Sequence, residues 1–166
     1  MNDGNQRGVR QDSFQVRRAE VTDAEAIAGC LGAAFARHRD EYTSEAYADT
    51  VLNSDGVVRR LHEMSLFVAV SEGKIVGIIG CVVNGAEGHL RDMAVWPDWQ
   101  GRGVASVLLR TAEAELQRNG CCSVTLDTTA PLVRAVRFYS KNGYSASGRV
   151  ADFFGMPLHE YHKLLL

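Results

Sequence analysis

The residues of this chain whose types suit chemistry fall in two stretches. The first, residues 87–106, holds Glu87, His89 and Asp92, followed by the turn Gln100-Gly101-Arg102-Gly103; the second holds Phe138 and Tyr139. His89 has an intrinsic pKa suited to taking a proton near neutrality, and Asp92 and then Glu87 are the alternative bases. Tyr139 carries a phenol at helical spacing, where an aromatic ordinarily packs on the sheet. The turn suits anion binding. After it, Val104, Val107, Leu108 and Leu116 recur at helical spacing, which sets Gly101 and Gly103 where a loop becomes a helix. The first N–H groups of a helix have no intrahelical partner, and its dipole favours negative charge. Glycines there keep side chains out of the way of a phosphate. Gly101, Arg102, Gly103, Val104, Ala105 and Ser106 thus read as a pyrophosphate cradle, with Gln100 punctuating the turn before it.

Two ligands compete for such a cradle. Gly101, Gly103 and Ser106 approximate the G-x-G-x-x-G of dinucleotide folds, with Asp127 at the end of the next strand-like run as the ribose acid. Against this, Trp96-Pro97-Asp98-Trp99-Gln100 separates the preceding strand from the first glycine, whereas the dinucleotide turn begins at the strand end. Only 39 residues follow Asp127, too few to complete a doubly wound sheet. The other match is a family. Val95-Trp96-Pro97 followed by Gln100-x-x-Gly103-x-Ala105 resembles the Q/R-x-x-G-x-G/A acetyl-CoA signature of the GNAT N-acetyltransferases. Ala135-Val136-Arg137-Phe138-Tyr139-Ser140-Lys141-Asn142-Gly143-Tyr144 is similar to that family's A-x-x-F-Y-x-K-x-G-F/Y segment. The resemblance runs from about Phe14 to Leu166.

The resemblance implies an acetyl-CoA-dependent N-acetyltransferase that moves acetyl to a primary amine by direct transfer in a ternary complex, without a metal. It implies a GNAT-like α/β (α+β) fold, a central mixed, mostly antiparallel twisted sheet of six to seven strands flanked by helices. The pantetheine arm would lie along Met93, Ala94 and Val95, with the N–H of Ala94 or Val95 polarising the thioester carbonyl. Tyr139 would protonate the leaving thiolate beside Phe138, and His89 stands where some members carry a glutamate base. One departure is Leu132, where the family often has asparagine. That loss leaves room for a rival of another class, an acyl-CoA sensor with the same fold and no turnover. No cysteine lies in the strand or helix framing the predicted thioester, which disfavours an acyl-cysteine route.

The elements that must position these residues follow from patterning. Phe14, Val16 and Val21 suggest a first strand, and Thr22-Asp23-Ala24-Glu25 reads as a capping box for a helix carrying Ile27, Leu31, Ala34 and Phe35. Short helical stretches near 44–52 and 57–63 precede strands at 66–70 and 75–83, joined by Glu72-Gly73-Lys74. A strand at 89–95 leads through the cradle into a helix at 103–118. Strand 123–127, helix 131–141 and strands at 144–150 and 160–165 complete the order. Simple alternation along 89–95 sends His89, Arg91 and Met93 to one face and Leu90, Asp92 and Ala94 to the other. His89 and Asp92 can then share a site only if the strand bulges.

The acceptor pocket, by resemblance, draws on Phe35, Tyr42, Tyr47, Phe153, Phe154 and His159. The apolar run Asp152–Leu158 reads as a loop that forms a pocket lip, a homodimer contact, or plain packing. At 166 residues, 46% hydrophobic and 23% charged, the chain from residue 13 onward makes one domain behind a polar, frayed tail at 1–12. A net charge of −2 without a basic stripe gives no reason to expect nucleic acid, and no apolar run is of membrane length. Cys30, Cys81, Cys121 and Cys122 lack zinc-site spacing, and a reducing cytoplasm is the expected setting.

Overall fold

The computed structural model describes residues 13–166; the expected tail at 1–12 lies outside them. The chain runs β1 (Gln15–Arg18), α1 (Ala24–Phe35), α2 (Ser44–Thr50), α3 (Ser54–Glu63), β2 (Ser65–Ser71), β3 (Lys74–Asn84) and β4 (Glu87–Val95). It continues through α4 (Val104–Arg118), β5 (Ser123–Thr129), α5 (Val133–Lys141), β6 (Ser145–Phe153) and β7 (Met156–Leu164). One seven-stranded sheet holds them in the order β1-β2-β3-β4-β5-β7-β6. Every neighbouring pair is antiparallel except β4 and β5. This is the mixed, mostly antiparallel sheet that the family resemblance implied.

Strand β3 explains the two-layer arrangement. Its run Ile75–Cys81 is buried without alternation, as a strand covered on both faces must be. On one face α4 seals a core of Phe67, Ile79, Leu90, Leu108, Leu116 and Leu126. On the other, α1 and α3 cover Ile27, Leu31, Val57, Val68 and Ile78. Gly77 permits the close approach of α4: a Cβ there would stand 2.8 Å from Val104 Cγ1. The single parallel pair, β4 with β5, requires a crossover, and α4 supplies it. The start of α4 therefore lies at the carboxyl end of β4, the usual ligand edge of a parallel pair.

Local readings differ in three places. Val21 is not in β1; it opens a 3₁₀ turn and is exposed. The cap before α1 is shifted upstream, with the Glu20 N–H donating to Asp23 Oδ2 at 2.8 Å, so Thr22 is not the capping residue. The stretch 152–158 is no loop: β6 and β7 continue through it, and Phe153 pairs with Met156 across a two-residue turn. Both turn residues have positive φ, Phe154 at 50° and Gly155 at 88°, the hairpin geometry that matches strand twist. A phenylalanine at a left-handed position hides that turn from sequence reading.

The simple alternation of β4 also fails, for a physical reason. Ala94 pairs with Ile78 and Arg91 with Gly80, so Ile79 alone opposes both Asp92 and Met93. This is a β-bulge, and Asp92 adopts φ 56° to make it. Leu90 packs in the α4-side core, and beyond the bulge Met93 and Val95 pack there too, while Ala94 enters the opposite core. His89, Arg91 and Asp92 thereby share the face turned away from α4.

Candidate active site

A cleft of about 1060 Å³ runs across the sheet from the α4 turn to the α1–α2 connection. At one end, Gly101 (φ 78°) and Gly103 (φ 84°) hold left-handed conformations that side-chain-bearing residues rarely adopt. Gly103 is the N-cap of α4 and offers no side-chain cap, so the first N–H groups of a 15-residue helix are left for a ligand. A Cβ built on either glycine meets nothing within 4 Å, so the space beside the turn is open. Val104 is buried in the α4-side core at the cleft wall, and Ala105 and Ser106 continue that wall. Arg102 lays its guanidinium over the Trp99 ring, 5.1 Å from the centroid.

Gln100 braces this turn. Its Nε2 donates to the Val95 carbonyl at 3.2 Å, and its Oε1 accepts from Arg134 Nη1 at 3.2 Å. The turn is thereby tied to the end of β4 and the first residues of α5.

Between these supports the sheet opens. Pairing of β4 with β5 covers Glu87–Leu90 against Ser123–Leu126 and then stops. From Arg91 to Val95 one edge of β4 faces the cleft rather than a strand. The Trp96 N–H bonds to the Val76 carbonyl on β3 at 2.8 Å, while the Val95 carbonyl takes its bond from Gln100. Alternation thus directs the Ala94 main chain to β3 and the Val95 main chain into the gap. Of the two N–H groups read as thioester donors, Val95 is the one so oriented. An extended ligand added here would complete the sheet as an extra strand does.

Tyr139 stands on α5 over this gap, its ring 6% exposed and packed edge-on to Phe138 and Tyr144 at 5.3 and 5.6 Å. Both the packing reading and the chemical one therefore apply to the same side chain. Its hydroxyl makes no hydrogen bond among the described residues, whereas that of Tyr144 donates to Glu113 Oε1 at 2.7 Å. Burial raises the Tyr139 pKa, so the phenol is a proton carrier at neutral pH. Leu132, the N-cap of α5, gives that helix start no side-chain hydrogen bond.

The three carboxylate and imidazole candidates separate sharply. Glu87 is exposed at the start of β4. Asp92 lies 3.0 Å from Arg60 Nε in an ion pair whose side chains are 7% and 10% exposed. Burial raises its pKa and Arg60 opposes the rise. His89 lines the cleft with Asp127, and its Nδ1 lies 2.8 Å from Thr125 Oγ1. Its Nε2 stands 3.4 Å from Asp127 Oδ2. Burial lowers the His89 pKa, with Asp127 opposing, and burial raises that of Asp127. Sequence reading assigned Asp127 only to a ribose, because the β4–β5 register that sets it beside His89 leaves no local mark.

The far end of the cleft is aromatic. Phe35, Tyr42 and Phe153 line it, and the Tyr42 and Thr129 hydroxyls are 2.8 Å apart. Thr43 Oγ1 donates to the Phe154 carbonyl at 2.8 Å, fastening the β6–β7 turn to the start of α2. Tyr47 packs behind Tyr42, Phe154 is exposed, and His159 pairs with Thr128 on the sheet; none of the three lines the cleft. The four cysteines are free thiols, with Cys121 buried and Cys122 exposed. Among the described residues, no group of three His, Cys, Asp or Glu is placed to hold a metal, and no helix is long and apolar enough to cross a membrane.

Known proteins share this fold. The structure superposes with a TM-score of 0.77 on the PaiA N-acetyltransferase of Thermoplasma acidophilum in complex with coenzyme A. That match covers 92% of this chain and 99% of the other at 16% identity. The ribosomal-protein-S18-alanine N-acetyltransferase of Escherichia coli matches with a TM-score of 0.72 at 18% identity, covering 92% and 94%. At such identities these likenesses speak for the fold. A curated relative, N-acetylaspartate synthetase of Xenopus tropicalis, is 35% identical over 86 residues, 51% of this chain. The matched stretch spans 32% of that protein's length. The profile of the acetyltransferase (GNAT) family matches residues 29–144, from within α1 through the α5 turn, and the chain belongs to that family.

Proposed function

We propose that this chain transfers acetyl from acetyl-CoA to a primary amine, directly and within a ternary complex. One observation carries the reading: the β4–β5 gap opens between an uncapped, glycine-turned helix start and the Tyr139 hydroxyl. The donor fits this space. The N–H groups around Gly101–Ser106 would hold the pyrophosphate, braced by Gln100 and accompanied by Arg102. Met93, Ala94 and Val95 would carry the pantetheine arm as an added strand, with Phe138 beside it. The Val95 N–H would draw charge from the thioester carbonyl, and Tyr139 would protonate the departing sulfur. His89 is the base for the amine; Asp92, held by Arg60, is assigned to the scaffold instead.

The experiment is release of free thiol from acetyl-CoA against an amine panel. The panel includes aspartate, since one relative is named for N-acetylaspartate, and a peptide with N-terminal alanine. Amine-dependent thiol release with an acetylated product supports the proposal. Coenzyme binding without turnover on any amine would favour the sensor. The free thiols fit a reducing cytoplasm as the working compartment.

A further inference from the structure

Three buried side-chain atoms of the described residues make no hydrogen bond: Arg60 Nε, Asp92 Oδ2 and Thr128 Oγ1. The first two face each other at 3.0 Å as an ion pair, so each has the other's charge. Thr128 Oγ1 has no partner. A hydroxyl taken out of water unbonded costs free energy, and folded proteins rarely leave one in that state. The neighbouring threonines of β5 are bonded, Thr125 at 2.8 Å from His89 Nδ1 and Thr129 at 2.8 Å from the Tyr42 hydroxyl.

The unbonded hydroxyl sits beside the gap. Pairing of β4 with β5 ends at Leu126, and Thr128 lies two residues further, where β5 borders the opening. The β5–β7 register runs without a shift from Ser123 to Thr129, so alternation gives Thr128 the face of Leu126. Leu126 shares one core with Tyr139, while Asp127 and Thr129 make their contacts on the opposite face. Thr128 thus belongs to the α5 side of the gap, the side from which Tyr139 enters. It lines the cleft wall, although the residue is only 4% exposed. Leu132, on the α5 side of the same wall, has no polar side-chain atom to offer.

We propose that Thr128 Oγ1 is a binding group for the pantetheine arm, hydrogen-bonded to the amide nearest the thioester, and that it replaces from β5 the side-chain contact Leu132 cannot make from α5. This rests on the coenzyme site of the transferase reading and adds a residue to it. The chemistry selects the amide. An arm lying in the gap as an added strand brings peptide-like N–H and C=O groups to strand spacing from β5. A hydroxyl donates and accepts, so Thr128 suits either group of an amide. Threonine has more than one staggered χ1 well, which lets the hydroxyl turn toward the arm without backbone movement. The bound arm supplies the partner that the empty cleft lacks.

Stability and binding should therefore move in opposite directions, and two variants test this. Thr128→Val keeps the shape and removes the hydroxyl; Thr128→Ser keeps the hydroxyl and removes a methyl group. In the free chain, the urea midpoint of Thr128→Val should equal or exceed that of wild type, because an unbonded polar atom is gone. That of Thr128→Ser should fall, because packed surface is lost. Coenzyme A affinity, measured by calorimetry, should show the reverse order. Thr128→Ser should stay within about 2-fold of wild type, and Thr128→Val should bind about 3- to 10-fold more weakly, the scale of one neutral hydrogen bond. A hydroxyl with a purely structural role would lower both quantities together. A lower urea midpoint for the valine variant, or wild-type coenzyme affinity in it, overturns the proposal. An equal loss of affinity in the serine variant assigns the effect to the methyl group and overturns it too. A wild-type chain that binds no coenzyme A refutes the coenzyme site as a whole, whereas equal binding by wild type and the valine variant refutes Thr128 alone.

Discussion

Arg60 Nε lies 3.0 Å from Asp92 Oδ2, joining α3 to the bulge of β4 through a pair of charges almost wholly removed from water. The contact holds the one residue of β4 whose φ is positive, and the bulge in turn faces Met93 and Val95 toward α4. Breaking such a pair leaves a buried charge uncompensated. Arg60→Met is therefore expected to destabilise the fold by about 3–5 kcal/mol, seen as a lowered urea midpoint. Adding Asp92→Asn should recover part of the loss, because the stranded charge goes while asparagine tolerates the left-handed backbone. A single-variant cost below about 1 kcal/mol would show that the pair does not hold the bulge.

His89 makes a pH prediction whose sign follows from burial. A histidine whose folded pKa is lowered contributes stability that is complete above its unfolded pKa of about 6.5 and is lost as pH falls through the folded value. His89→Gln should flatten the loss of stability in that acidic window, measured by denaturant titration at several pH values. In turnover, the acidic limb of kcat/KM should lie below the ordinary histidine range. Asp127 raises the His89 pKa against burial, as do Glu160 and Glu87, while Arg91 lowers it. Asp127→Asn should therefore move the limb to still lower pH. A limb that moves upward, or stays in place, contradicts His89 as the base.

Much of this architecture was legible in the sequence because it rests on patterns that repeat. The uninterrupted apolar run of β3 marks a strand covered on both faces, and the spacing Val104, Leu108, Leu116 marks the core stripe of α4. The glycine turn was legible because left-handed backbone at a helix start leaves few residue choices. The bulge was not, since Asp92 reaches positive φ through tertiary contacts with α3 rather than through its own preference. The turn at Phe154 was missed for the same reason. The pairing of His89 with Asp127 needs the parallel register of two strands 36 residues apart, which no local pattern encodes.

Tyr139→Phe separates chemistry from packing, because the ring contacts with Phe138 and Tyr144 survive. If the hydroxyl is the proton donor, kcat falls about 10²–10⁴-fold while the acetyl-CoA KM changes little. A thioester with a more acidic leaving thiol should lose less. A variant within a few-fold of wild type returns Tyr139 to a packing role.

Gly103→Asp sets a carboxylate where phosphate oxygens belong and forces a side chain onto a left-handed N-cap. Coenzyme A affinity should be abolished. Gly103→Ala, sharing the backbone strain of about 1–3 kcal/mol without the charge, separates the two effects in the same binding assay. Equal loss in both variants would assign the defect to the backbone alone.

The account's central claim is that the start of α4 and the β4–β5 gap together form a coenzyme A site. Calorimetric titration tests it most directly, with coenzyme A and pantetheine compared on the wild-type chain. The account predicts one coenzyme A site per chain, without added metal, and binding weakened at least about 100-fold when the phosphates are absent, the scale of one or two lost bonds to charged groups. Equal affinity for the two ligands would contradict it.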